Sequence, residues 1–112
     1  MRILENKNNI CIIKNGDWTY LFSYKTPIAK VNNTIKNNIK ENEYGLYFTI
    51  NWDYSQTTLK HLYWFIEYYT TQRDERNNTF GYMLDYNTKN KHEYLQKQID
   101  LGNIKMIKEC EF

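Results

Sequence analysis

The run NICIIKNGDWTYLFSYK, Asn9 to Lys25, constrains the fold more than any other part of the chain. Two segments rich in β-branched and aromatic residues flank Asn15-Gly16-Asp17. Asn-Gly between such segments is the strongest local hairpin signal, because both residues tolerate the positive φ of a tight turn. Asn9–Lys14 and Trp18–Lys25 are therefore expected to pair as antiparallel strands. Side chains alternate along a strand, so Trp18, Tyr20, Phe22 and Tyr24 share one face and Thr19, Leu21, Ser23 and Lys25 the other. Any fold for this chain must be built on a sheet.

The rest of the chain extends that base. Pro27 gives up a ladder donor, so TPIAKV is expected as an edge segment or after a bend. The polar, asparagine-rich Asn32 to Gly45 reads as a loop. LYFTINW, Leu46 to Trp52, alternates again and is expected as a central strand, with Leu46, Phe48, Ile50 and Trp52 on one face. At Asp53 the period changes. Leu59, Leu62, Tyr63, Ile66, Tyr69 and Thr70 follow helical spacing and predict a buried stripe, with Ser55 as N-cap and Asp53 competing for that role. The charged RDERNN ends this helix. Thr79 to Tyr86 reads as a further strand. NTKNKHEYLQKQIDLG reads as a second helix capped by Asn87 or Thr88, with Tyr94, Leu95, Gln98 and Leu101 near its buried stripe and Gly102 as its stop. NIKMIKECEF suits a last strand. Strands come first and helices later, which predicts an α+β fold: an antiparallel sheet of four to six strands with two helices packed on one face. At 112 residues the chain is expected to form one domain, 1–112.

Hydrophobic residues make up 41% and charged residues 25%, enough apolar content for a core. Eleven tyrosines mean that many rings carry a polar tip needing a partner or water. The net charge of +2 is too mild to imply nucleic-acid binding by charge alone. The opening MRILENK has no apolar h-region, and no apolar run approaches a membrane span, so a cytoplasmic location is expected. In that compartment Cys11 and Cys110 are expected as buried, reduced thiols, with a bridge between the chain ends as the alternative.

Catalytic and cofactor motifs are missing. There is no G-x-G-x-x-G, P-loop or G-x-S-x-G, and the four glycines are scattered. His61 and His92 lie on different expected helices, and no C-x-x-C or H-x-x-x-H spacing joins them to Cys11 or Cys110 in a metal site. His61 with Cys11 or Ser55 is a conceivable nucleophile pair, but a helix-surface histidine accounts for it more simply. No catalytic residue, metal or cofactor is assigned, and an enzyme is not expected.

On the helical wheel Lys60, His61, Trp64, Glu67 and Tyr68 fall opposite the core stripe, with Phe65 at the boundary. Trp64 and Tyr68, four residues apart, would form one ridge. Three readings stay open for it: a helix buried on both sides, a protein–protein contact surface, or a platform for stacking single-stranded bases. Ser55, Thr57 and Thr58 form a second group. Their hydroxyls can cap the first turn or, with His61, make a polar or anion site at the positive end of the helix dipole.

One resemblance joins these residues. Tyr24-x-Thr26-x-Ile28-Ala29, followed after a loop and a strand by Tyr54-Ser55-x-Thr57-Thr58-x-Lys60-His61, resembles a small uncharacterised domain family of phage and bacterial mobile-element proteins, over about Tyr20 to Glu67. The resemblance carries no activity. It implies a setting in which small proteins bind and block a host protein or ribonucleoprotein complex, CRISPR effectors included. The expectation is a phage- or mobile-element-encoded inhibitor acting through protein–protein contacts, in the host cytoplasm. The alternative is a nucleic-acid-binding regulator with direct nucleic-acid contact. No membrane partner is expected.

With no metal-ligand spacing present, the purified protein is expected to contain no stoichiometric zinc and to ignore chelators. Elemental analysis finding one zinc per chain would overturn this.

Overall fold

The expected hairpin forms, one residue out of step with the Asn-Gly reading. In the computed structural model, which describes residues 1–7, 9–32, 45–69 and 90–112, strands β2 (Ile10–Asn15) and β3 (Trp18–Ser23) pair antiparallel with Asn15 opposite Trp18. The two loop residues are therefore Gly16 and Asp17. Of these two, only Gly16 has positive φ, at 62°, the pattern of a turn with glycine in its first central position.

Strand β1 (Arg2–Lys7) precedes this hairpin and pairs with β2, a strand that the sequence reading missed. Its pairing is irregular, with Leu4 as the extra residue between Ile3 and Glu5. Strand β4 (Thr26–Asn32) follows directly. Of the two expectations at Pro27, the edge segment is corrected here, since β4 lies between β3 and β5 (Leu46–Thr49), while the place after a bend stands, because β4 starts directly after a turn at Tyr24-Lys25. Two features let the proline sit there. Pro27 lies beyond the β4–β5 ladder, whose pairing begins at Ala29. It also opposes Phe22 across a bulge in which Ile28 is the extra residue.

The β3–β4 turn is Tyr24-Lys25, and both residues have positive φ, 53° and 66°. Such a turn normally takes Gly or Asn, and left-handed backbone costs other residues roughly 1–2 kcal/mol each.

Helix α1 (Gln56–Tyr69) follows β5, then α2 (Lys91–Asp100), strand β6 (Ile104–Ile107) and a 3-10 turn (Glu109–Glu111). The sheet order is β1-β2-β3-β4-β5-β6. Every neighbouring pair is antiparallel except β5–β6, so the sheet is mixed rather than wholly antiparallel. The parallel pair follows from the long connection between those strands, which includes both helices. The fold is α+β. No described helix is long and apolar enough to cross a membrane.

Register decides which sheet face is buried. Ile12, Leu21, Ala29 and Phe48 stand opposite one another across β2 to β5. Thr19, Val31, Leu46 and Ile104 form a second row, and both rows are buried. They pack with Leu59, Leu62, Phe65 and Ile66 of α1 and with Leu95 of α2. The other face carries Trp18, Tyr20 and Phe22, half-exposed. Lys30 Nζ lies 4.4 Å from the Trp18 ring centre, and Phe112 meets Tyr20 and Phe22 edge-on at 5.3 Å.

Several expectations shift by local geometry. The strand at Leu46 ends at Thr49, so Ile50 turns outward at 76% exposure, while Trp52 still reaches the core. Phe65 is fully buried rather than at a boundary. The second helix is capped by Asn90, whose Oδ1 accepts from Glu93 N at 3.1 Å, and not by Asn87 or Thr88, which lie outside the described residues. Its end is as expected. Gly102 takes φ 81°, its N–H donates to Ile99 O, and Asn103 N donates to Gln98 O. Leu101 at this cap is exposed rather than near the core. Neither thiol is fully buried: Cys11 is half-buried and Cys110 exposed, and both are free. The expected strand Thr79–Tyr86 and the side chains of Tyr68, Tyr69 and Thr70 lie outside the described residues.

Leu62 and Ile66 are wholly buried between helix and sheet. Changing either to Ala is expected to cost about 2–5 kcal/mol in denaturant unfolding. A cost below about half a kcal/mol for both would mean that another face of α1 supports the core.

Candidate functional site

The β3–β4 turn and the start of α1 face one another across a cleft of about 610 Å³. One wall comes from the hairpin. Ser23 closes β3, Tyr24 forms the strained turn, and Thr26 and Ile28 follow on β4. The other wall is Tyr54, Ser55, Thr57 and Thr58, with Asn51 and Glu109 at one end.

Each wall is fixed by backbone that needs a side-chain partner. The bulge at Ile28 withdraws carbonyls from the ladder. Thr49 Oγ1, buried, answers them with a bond to Pro27 O at 2.7 Å and a longer one to Ile28 O at 3.3 Å. Asn51 N in turn donates to Thr49 Oγ1 at 3.3 Å, and Asn51 Nδ2 donates to Pro27 O and, at 2.5 Å, to Glu109 Oε1. This chain of bonds ties the loop before α1 to the hairpin and to the 3-10 turn. On the helix side, Ser55 caps as expected: its Oγ accepts from Thr58 N at 3.1 Å and lies 3.1 Å from Thr58 Oγ1.

His61 completes the join. Its Nδ1 lies 2.8 Å from Ser23 Oγ, and Ser23 is 2% exposed. The Tyr24 ring lies tilted over the imidazole at 6.0 Å between centres. Burial pushes the His61 pKa below its ordinary value of 6.5, so the neutral ring is favoured and can accept from the serine hydroxyl. His61 is thus neither a free surface histidine nor a partner of Cys11 or Ser55. It fastens α1 to β3.

Of the residues expected to bind a partner, Lys60 is exposed, His61 is engaged as described, and Glu67 is half-buried. Trp64 is half-buried and packs against the core cluster, so it does not stand clear of the helix as half of an open ridge. The side chain of Tyr68 lies outside the described residues. The polar group is assembled: Ser55, Thr57 and Thr58 line the cleft together. The residues that spacing alone did not mark are Ser23, Asn51 and Glu109. Tyr24, Thr26 and Ile28 were marked only by the resemblance motif, whose two halves prove to be the two walls.

A second, smaller junction lies between the helix starts. His92 Nε2 is 3.1 Å from Asp53 Oδ2, and its ring stacks on Trp52 at 5.0 Å. Lys91 Nζ lies 5.4 Å from the Tyr63 ring. Burial, then Asp53, pushes the Tyr63 phenol up. These contacts hold α2 against the loop that leads into α1. Among the described residues no cluster of His, Cys, Asp and Glu is grouped to hold a metal.

His61 gives a pH test. A depressed pKa in the folded state means that the unfolded chain takes up the proton first as pH falls. Stability is therefore fully present above 6.5, is lost as pH drops from 6.5 toward the folded value, and levels off below it. Unfolding curves between pH 7.5 and 5 are expected to show this slope, and His61→Gln is expected to reduce it. An unchanged slope in the variant would remove His61 as its source.

A family model described as a family of unknown function, DUF8033, matches residues 2–81. The match spans β1 to β5 and α1, and so includes every described residue lining the cleft except Glu109. No curated protein matches the chain. No solved structure matches it either. With most of its length matched by this one model, the chain belongs to the family of unknown function DUF8033.

Proposed function

We propose that the protein is encoded by a phage or mobile element and inhibits a host protein complex by binding it in the host cytoplasm. CRISPR effector complexes are the first class of target to test. One observation carries the binding reading. Tyr24 and Tyr54, at 54% and 83% exposure, flank a cleft whose walls come from distant parts of the chain. An exposed tyrosine offers a large, stiff, amphipathic surface at small entropic cost, which is why such rings anchor protein interfaces. Tyr24 is also held in a left-handed conformation that Gly or Asn would adopt more cheaply. Strain of this kind gathers at functional sites.

The alternative, a regulator that contacts nucleic acid, draws on the outer sheet face. There Trp18, Tyr20 and Tyr47 stand half-exposed around the Lys30 ammonium. Stacking on such rings tolerates any base sequence, and phosphate contacts would make affinity fall steeply with salt.

The experiment is co-purification of host proteins on the tagged chain, with Tyr54→Ala beside it. Tyr54 is exposed, so the variant is expected to keep its unfolding midpoint within about 0.5 kcal/mol. It is expected to lose a salt-tolerant host partner. A folded variant that still captures the same partner would sink the cleft's role. Salt-sensitive retention of nucleic acid, undisturbed by the variant, would favour the alternative.

A further inference from the structure

We infer that the cleft receives a basic side chain of the partner, an arginine guanidinium, through the Tyr24 and Tyr54 rings and the Glu109 carboxylate; this rests on the binding reading above. The chain as a whole is basic, with net charge +2, yet the cleft is not. Among its described lining residues the one side chain with a formal charge is Glu109. Its Oε1 takes the Asn51 amide, and no bond among the described residues uses its other oxygen. The remaining polar lining groups are hydroxyls and an amide, all of which can accept a hydrogen bond. Neither rim phenol hydroxyl bonds another described residue.

A cation suits this set on three counts. Its charge meets the Glu109 carboxylate oxygen that no described residue bonds. Its N–H groups meet hydroxyl acceptors such as Thr57. Its plane can lie on an exposed tyrosine ring, where the quadrupole attracts positive charge. Arginine fits better than lysine because the guanidinium is planar, holds its donors in a fixed fork and sheds water more readily. The strained turn has a role in this arrangement, since it delivers the Tyr24 ring to the rim beside His61.

The test is a two-dimensional NMR titration of the full chain with Nα-acetyl-arginine amide and, separately, Nα-acetyl-citrulline amide, which has nearly the same shape without the charge. The arginine compound is expected to shift the backbone amides of Tyr24, Thr57 and Glu109 and to bind about tenfold more tightly than the citrulline compound, the effect of one charge-assisted contact. Glu109→Gln keeps an acceptor for Asn51 and is expected to abolish that preference. Tyr24→Asn suits the left-handed backbone and removes the ring; it is expected to weaken arginine binding without lowering the melting temperature. Equal binding of the two compounds, binding of neither, shifts confined to another surface, or a preference that survives Glu109→Gln would each overturn the inference. Host capture separates this from the broader reading. A partner lost by Tyr54→Ala but kept by Glu109→Gln sinks the arginine site and leaves binding standing. Absence of any salt-tolerant partner sinks the binding reading whichever compound the cleft prefers.

Discussion

Helix α1 can lie close to the sheet only where the strand beneath it carries short side chains, and β3 supplies them. Thr19 and Ser23 are buried on its inward face, beside Ala29 of β4 and with Leu21 as the one larger side chain between them, while Trp18, Tyr20 and Phe22 of the same strand point away from the helix. Over this shallow floor Leu62, Phe65 and Ile66 reach full burial. Ser23 is also the residue that bonds His61, so the same choice of small residues that admits the helix fixes where its first turns sit. Had the aromatic face turned inward, α1 would have been held off and the Ser23–His61 bond could not form.

The large rings displaced from the core form the outer face. Lys30 lies among Trp18, Tyr20 and Tyr47, with its ammonium over the rings, and Phe112 returns to meet Tyr20 and Phe22. Edge-to-face packing and cation–π contact let half-exposed rings be used structurally without full burial. The cleft arises from two irregularities in an otherwise regular ladder. The Ile28 bulge bends β4 and frees carbonyls that Thr49 and Asn51 then satisfy, and the Tyr24-Lys25 turn presents a ring where a glycine would present none.

Much of the architecture was legible in the sequence because it depends on period and on local caps. The Leu59-Leu62-Tyr63-Ile66 part of the α1 stripe, the Ser55 cap and the Gly102 stop are all local, and all are present. The errors fall where tertiary context overrides a local rule. Pro27 argues for an edge or a place after a bend; it follows the Tyr24-Lys25 turn, and a bulge and an unpaired flank allow it inside the sheet. Tyr24 and Lys25 read as a continuation of the strand, because neither residue prefers the positive φ that the turn imposes on both. Strand β1 carries no clear alternation, since Leu4 is an extra residue in its irregular pairing with β2. Of the readings open for Trp64, its partial burial against the core agrees with the helix buried on both sides, because a helix pressed onto a sheet buries more than a narrow stripe.

The sequence by itself determined strands β2 to β6, the two described helices, the α+β class and the Ser55-Thr57-Thr58 group, because hydrophobic period, capping and turn residues act over a few positions along the chain. It left open which face of β3 would be buried, since both alternating sets carry apolar residues and only the register with β2 and β4 chooses between them. Only the tertiary structure paired His61 with Ser23, 38 residues away, and brought Glu109 to Asn51, 58 residues away. Those bonds depend on the bulge, the strained turn and the crossover to β6 acting together. No short window of sequence contains the geometry that makes them meet.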